Sequence, residues 1–218
     1  MYLVKMAHKL ANLPFIKRAL TQNRFFVRMY FNWRYRNPDP YHVSVSNYER
    51  DKMERVMASL GFEKRFGSIL EIGCGEGNMT VRLASIADRV LATDISDMAV
   101  RRTRQAASPF SNVEAQRLDL LSDEAPGRHD LVVASEVLYY FEKHQLPDVH
   151  ERMTACVKKG GCVALIHARA LADDEQGVEL KKFGARTIHE MFIGDPRYSV
   201  VHDDIQPAYR MTVLRRVA

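Results

Sequence analysis

From Gly67 onward the chain alternates short apolar runs with amphipathic stretches, and few architectures accommodate that alternation. The apolar runs are SILEIG, RVLATD, NVEAQRLD, DLVVASEV and GCVALIHA. Between them lie NMTVRLASIA, DMAVRRTRQAA and a helical stretch around Pro147–Val157. Strands of roughly eight residues or fewer that alternate with helices imply repeated βαβ units and a parallel sheet. The tail departs from this pattern. RYSVVHDDIQ and YRMTVLRRV are β-rich runs joined by a turn at Gln206-Pro207, and they read as an antiparallel hairpin closing one sheet edge. The expected class is therefore α/β, with a seven-stranded, mostly parallel sheet.

The segment before this pattern is different in kind. Residues 1–36 are expected to be helical and amphipathic, with aromatic residues interleaved with Lys and Arg. Asn37-Pro-Asp-Pro40 ends that stretch, because each proline disfavours helix in the residue before it. A second helix is predicted over 47–60, where Met53, Val56, Met57 and Leu60 share one face. We divide the chain into a basic helical extension or lid, 1–46, and a catalytic domain, 47–218. Residues 1–40 hold eight Lys/Arg and one acid, so the net charge of +5 belongs to this segment and the remainder is slightly acidic. A nucleic-acid enzyme usually spreads positive charge around its cleft as well, so nucleic acid is not the expected partner. A packed helical cap is the plainest role for residues 1–36. A lid, a homodimerisation arm and an amphipathic surface for anionic lipid remain alternatives. No run approaches the roughly 18 apolar residues of a membrane span, and the N-terminal stretch lacks the pattern of a secretory signal. The three cysteines, Cys74, Cys156 and Cys162, form no CxxC pair, which fits a reducing, cytoplasmic setting.

The chemistry-bearing motif follows the first strand. Glu71-Ile-Gly-Cys-Gly-Glu-Gly77 places Gly73, Gly75 and Gly77 in the turn before the next helix, where a backbone free of side chains can approach a ligand. Ligands of such sheets sit beyond the carboxyl ends of the strands. The spacing is GxGxG, whereas a dinucleotide site would show GxGxxG. Glu71 would repel a pyrophosphate but suits a cationic amino-acid ligand. Asp94 ends the next apolar run, 21 residues after Gly73, and can accept ribose hydroxyl protons. Asp119 ends the one after and can accept from an adenine amino group.

This constellation resembles the class I S-adenosylmethionine-dependent methyltransferases, over roughly residues 40–218. The resemblance implies a Rossmann-like fold with a C-terminal antiparallel hairpin and S-adenosylmethionine as cofactor. It places the methionine moiety at Gly73 and Gly75, ribose at Asp94 and adenine at Asp119, with Ile95 and Leu120 flanking the ring. Ser135 joins this cofactor set. NYERDKM, EIGCGEGNMT and SEVLYYFE are similar to the nodulation protein S family, which N-methylates a chito-oligosaccharide. In that family the segment holding Tyr41, His42 and Tyr48 helps close over the cofactor, and Tyr48 is expected to contribute. The chain also resembles mycobacterial O-methyltransferases of methylmannose polysaccharide synthesis. Both resemblances imply a small-molecule or oligosaccharide acceptor.

A sugar hydroxyl is a poor nucleophile and needs a general base or a metal ion. The expected reaction is O-methylation of a mannoside-type saccharide, with His144 as base and Glu136 beside it. Glu136, His144 and His167 are a candidate site for a divalent ion such as Mg2+. His189 and Glu190 are further candidates in the charged stretch 171–197. N-methylation of an amino sugar or other small amine is the alternative, since an amine needs little beyond orientation and proton removal. A nicotinamide-dependent oxidoreductase on a similar sheet is the reading from another class, although its fingerprint is absent.

Overall fold

The computed structural model describes residues 23–41, 43, 46–61, 65–124, 126–169 and 183–218. Residues 1–22 of the helical stretch expected over 1–36, His42, and residues 171–182 of the charged stretch lie outside the described residues. The seven strands are β1 (Ile69–Ile72), β2 (Val90–Asp94), β3 (Val113–Arg117), β4 (His129–Ser135), β5 (Val157–Ala168), β6 (Tyr198–Ile205) and β7 (Tyr209–Arg216). They form one sheet in the order β3-β2-β1-β4-β5-β7-β6. The first five run parallel, and β7 pairs antiparallel with both β5 and β6. The terminal hairpin therefore closes the sheet edge as the tail pattern predicts, with β7 on its inner side.

The helices are α1 (Arg24–Arg34), α2 (Asn47–Leu60), α3 (Thr80–Leu83), α4 (Asp97–Ala106), α5 (Leu146–Ala155) and α6 (Ala185–Ile193). Polar caps begin three of them. Asn23, Ser46 and Ser96 accept hydrogen bonds from the amides of Phe25, Glu49 and Ala99. Successive strand residues point to opposite faces, which splits the core in two. Leu70, Ile72, Val132 and Leu165 pack with Val149 and Met153 of α5 and with Ile188 and Phe192 of α6. Ile69, Val133, Ala164 and Ile166 pack with Val56 and Leu60 of α2 and Leu83 of α3. Each fully buried Leu or Ile contributes roughly 1.5–3 kcal/mol.

Two elements differ from the sequence reading. NMTVRLASIA forms only the four residues of α3 and a short 3-10 turn, Ala84–Ile86. The backbone turns extended at Ala87, and the Asn112 side-chain amide donates to the carbonyls of Ala84 and Ala87 there. The stretch around 171–197 contributes α6 from residue 185 onward.

Candidate active site

The parallel strands end together, and their carboxyl tips bound a crevice in two adjoining chambers that share Tyr35, Gly73, Glu136 and Tyr140. The glycine turn makes the shared floor. Gly73, Gly75 and Gly77 all have positive φ, at 77°, 56° and 84°. A methyl group on Gly73 would lie 2.6 Å from Val137, and one on Gly75 would lie 3.0 Å from the Tyr35 hydroxyl. Any other residue at either position would be strained and crowded. The amides of Gly73 and Cys74 donate to the Thr93 carbonyl, and this ties the turn to β2.

In the first chamber, Asp94 accepts from the Gly75 amide at 3.1 Å and from the Ser96 amide at 2.8 Å. Burial lifts its pKa to about 6, against the pull of these amides. Each carboxylate oxygen keeps acceptor capacity beyond the one amide. Ile95, Leu118 and Leu120 form an apolar wall around it. Asp119 lies nearby, and there the structure adds a partner. The Arg24 guanidinium grips it, with Nε–H 2.8 Å from Oδ2 and Nη2 2.8 Å from Oδ1. Burial raises the Asp119 pKa, but Arg24 together with the Leu121 amide and the Ser122 side chain outweighs it and the net displacement is downward.

Arg24 belongs to α1, which roofs this chamber with Val27, Phe31 and Tyr35. Phe31 meets the Tyr140 ring edge-on at 5.0 Å, and Arg24 lies 4.9 Å over the Phe141 ring. Arg28 and Asn32 donate to Asp97, while the Asn32 carbonyl oxygen accepts from the Ser96 hydroxyl. Arg102 of α4 donates to the backbone carbonyls of Tyr35 and Arg36 just beyond the helix. The expected basic extension is thus joined to the loops after β2 and β3 by polar bonds.

The second chamber is lined by Glu49, Lys52, Glu71, Ser135 and Glu136 and by the rings of Tyr35, Tyr41, Tyr139 and Tyr140. Glu71 is buried and accepts from the Thr80 hydroxyl, and burial lifts its pKa to about 7. Glu136 has φ +54°, a left-handed conformation costing roughly 1–3 kcal/mol, of the kind that clusters at functional sites. Its carboxylate accepts from the Lys52 ammonium at 3.0 Å, from the Ala168 amide at 3.1 Å and from the Tyr139 hydroxyl. Lys52 also pairs with Glu49 at 2.7 Å. Burial pulls the Lys52 pKa down, but the two carboxylates prevail and raise it.

The sequence-predicted residues divide accordingly. Glu71, Gly73, Gly75, Asp94, Ile95, Leu120, Ser135 and Glu136 line the two chambers, and Asp119 lies beside the first in the grip of Arg24. Tyr48 does not line them. It is exposed and packs edge-on against Tyr209, and Tyr35 and Tyr41 stand where it was expected. His144 lies on the exposed 3-10 turn Lys143–Gln145, outside both linings. His167 is fully buried, with Nε2 bonded to the Leu138 amide and Nδ1 to the His189 ring. The candidate metal set of Glu136, His144 and His167 is therefore corrected. Its members do not converge, and no group of three or more His, Cys, Asp or Glu among the described residues could hold an ion. Arg24, Tyr35 and Lys52 were not singled out from sequence. The only local signal for Lys52 was its spacing from Glu49 on one helix face.

The chambers fit the expected cofactor. Apolar walls and a buried, incompletely bonded Asp94 suit a nucleoside, and the glycine floor leaves space where any Cβ would intrude. The profile of the nodulation protein S (NodS) family matches residues 30–192. Nodulation protein S of Bradyrhizobium diazoefficiens is 28% identical over 102 residues, covering 47% of this chain and 49% of that protein. The chain spans about half the length of the nodulation protein S relatives it matches. Phosphoethanolamine N-methyltransferase 1 of Arabidopsis thaliana is 28% identical over 123 residues, 55% of this chain and 25% of that protein. Among solved structures, the N-methyltransferase NodS from Bradyrhizobium japonicum WM9 in complex with S-adenosyl-L-homocysteine superposes with a TM-score of 0.77 at 23% identity. That superposition covers 88% of this chain and 98% of the other. No helix among the described residues is long and apolar enough to cross a membrane. With a family match over most of its length, on this fold, the chain belongs to the nodulation protein S family of class I S-adenosylmethionine-dependent methyltransferases.

Proposed function

We propose that this protein transfers the methyl group of S-adenosylmethionine to the amine of a small acceptor, an amino sugar foremost. The observation that carries the reading is the second chamber. It lines its wall with the carboxylates of Glu49 and Glu136, which share Lys52, and of Glu71, together with four tyrosine rings. When bound, the cofactor would supply an electrophilic methyl on a sulfonium, with the neutral thioether as the leaving group on the side opposite the acceptor nitrogen. In this reading Gly73 and Gly75 admit its methionine part, Glu71 faces the cationic end, and Asp94 accepts from the ribose hydroxyls. Asp119 and Arg24 bound the adenine side, between Ile95 and Leu120, and residues 24–41 act as the lid. Glu136 draws in the acceptor ammonium and takes up its proton, and the Lys52 ammonium, 3.0 Å away, fixes the carboxylate in place. Tyr41, Tyr139 and Tyr140 offer apolar faces to a sugar ring. An amine asks only for orientation and loss of a proton, which these groups supply. Methylation of a sugar hydroxyl with His144 as base is less supported, since His144 projects from an exposed turn. The names of two relatives, the NodS and phosphoethanolamine N-methyltransferases, point the same way.

The test is transfer of labelled methyl from S-adenosylmethionine to amino sugars, a chito-oligosaccharide bearing a free amine, and phosphoethanolamine. Each is paired with its N-acetylated counterpart. Label should appear on free amines only. Equal labelling of the acetylated partners, or label on hydroxyls, would refute amine transfer.

A further inference from the structure

Beneath the second chamber runs a chain of hydrogen bonds that the reaction does not use directly. The Leu138 amide donates to His167 Nε2 at 3.3 Å. His167 Nδ1 lies 3.1 Å from His189 Nε2, and His189 Nδ1 lies 2.6 Å from the Thr212 hydroxyl. The Thr212 hydroxyl donates to Asp203 at 2.7 Å. Asp203 is clamped by Arg210, whose Nε–H and Nη2–H bond its two oxygens at 2.9 and 2.8 Å. His167, His189 and Thr212 are completely buried, and they come from β5, α6 and β7.

The two ends fix the polarity independently. A backbone amide can only donate, so His167 Nε2 carries no proton and Nδ1 carries one. A carboxylate held by a guanidinium accepts, so the single Thr212 hydroxyl proton points to Asp203 and its oxygen receives His189 Nδ1–H. Both constraints give both neutral imidazoles the same tautomer. A second proton on either ring would set two N–H groups head to head.

The position of the first bond gives the chain its purpose. Pairing of β4 with β5 runs to Ser135 opposite Ile166, and the Glu136 amide still donates to the Ile166 carbonyl. There the backbone turns away, with Glu136 at φ +54°. The next ladder partner for Leu138 is an imidazole in place of a carbonyl. The same two segments are latched by the Ala168 amide on the Glu136 carboxylate. The Tyr139 ring, which hydrogen-bonds Glu136, rests edge-on against His167 at 5.6 Å.

We infer that His167, His189 and Thr212 are positioning residues: a one-way hydrogen-bonded chain, anchored at Asp203 and Arg210, that holds residues 136–140 as the rigid wall of the second chamber. The strained turn that aims Glu136 is thereby tied to the sheet edge. The inference deepens the amine-transfer reading, since this wall is the one proposed to receive the acceptor. It stands on bonds that exist without any ligand.

Nitrogen-15 imidazole spectroscopy of the full chain, with and without S-adenosylhomocysteine, reads the proton positions. Both histidines should be neutral, with Nδ1 protonated and Nε2 bare. Either ring in the opposite tautomer, or charged at neutral pH, overturns the chain. Hydrogen exchange at the Leu138 amide reads the positioning. His167→Asn removes the acceptor for that amide and should speed its exchange by about tenfold or more. His167→Gln places an amide oxygen near the lost Nε2 and should restore protection to within about threefold. Thr212→Val breaks the far link and should give an intermediate increase. Unchanged exchange in His167→Asn, or equal loss in both His167 variants while both stay folded, overturns the inference; where a variant folds poorly, the wild-type spectra decide. Failure of S-adenosylhomocysteine to bind would instead sink the cofactor reading and leave these measurements intact.

Discussion

Asp94 and Glu71 are held in a state that water would not choose. Burial lifts their pKa values to about 6 and about 7, and among the described residues neither has a guanidinium or ammonium as a hydrogen-bond partner. Asp94→Ala should weaken S-adenosylmethionine binding by more than about tenfold, roughly 1.4 kcal/mol, measured by calorimetry. Unchanged affinity would refute its ribose role. Glu71→Gln should do the opposite to the unliganded fold. The folded carboxyl releases its proton near 7 and the unfolded one near 4.5, so ionisation costs stability as pH rises between them. The glutamine keeps an acceptor for the Thr80 hydroxyl and carries no charge, so it should raise stability at about pH 8 by on the order of 2 kcal/mol. Denaturant unfolding reads this, and an unaltered midpoint counts against the buried-charge account. At this scale the sequence was legible wherever backbone geometry dictates the residue. Glycines at positive φ and acids at strand ends declare themselves. His167 did not, because an imidazole that completes a strand ladder and one that binds a metal look alike in sequence.

β1 and α2 were readable element by element, since the burial of each matches one period. β1 is an uninterrupted buried run, and α2 buries Lys52, Met53, Val56 and Leu60 on one face. The orientation of α1 was not readable, because aromatic residues cover both of its sides. Val27, Phe31 and the following Tyr35 face the first chamber, whereas Phe25, Phe26, Met29 and Trp33 are exposed. The arginines settle it: Arg24 and Arg28 reach acids distant in sequence, Asp119 after β3 and Asp97 at the start of α4, which could not be paired with them from spacing alone. Arg24→Ala should therefore release α1 selectively. Amide exchange across residues 24–34 should rise by about tenfold or more while the central strands stay protected. If strands and helix loosened together, α1 would be an integral part of the cooperative core.

Across the whole molecule, two sets of titrating groups oppose each other. Burial holds His129, His150 and His189 below the usual imidazole value. The unfolded chain gains those protons first, so stability falls as pH drops through about 6.5. For His189, His167 and Arg210 add to that displacement, while Asp203 and Glu136 work against it. Glu71 and Asp94 have the opposite sign, since their raised values erode stability as pH climbs from about 4 toward about 7. A bound cofactor touches only the second set. The sulfonium and ammonium of S-adenosylmethionine favour an ionised Glu71, and ribose hydroxyls donate to an ionised Asp94, so binding releases protons wherever these acids are still neutral. The rise in melting temperature produced by saturating S-adenosylmethionine should therefore grow between about pH 5 and pH 7.5. Asp94→Asn should flatten that growth, while the acid-side decline set by the histidines stays in place. A ligand-induced shift that is constant with pH would mean that the carboxylates at the strand tips do not sense the cofactor. It would leave the glycine turn as the cofactor's main point of contact.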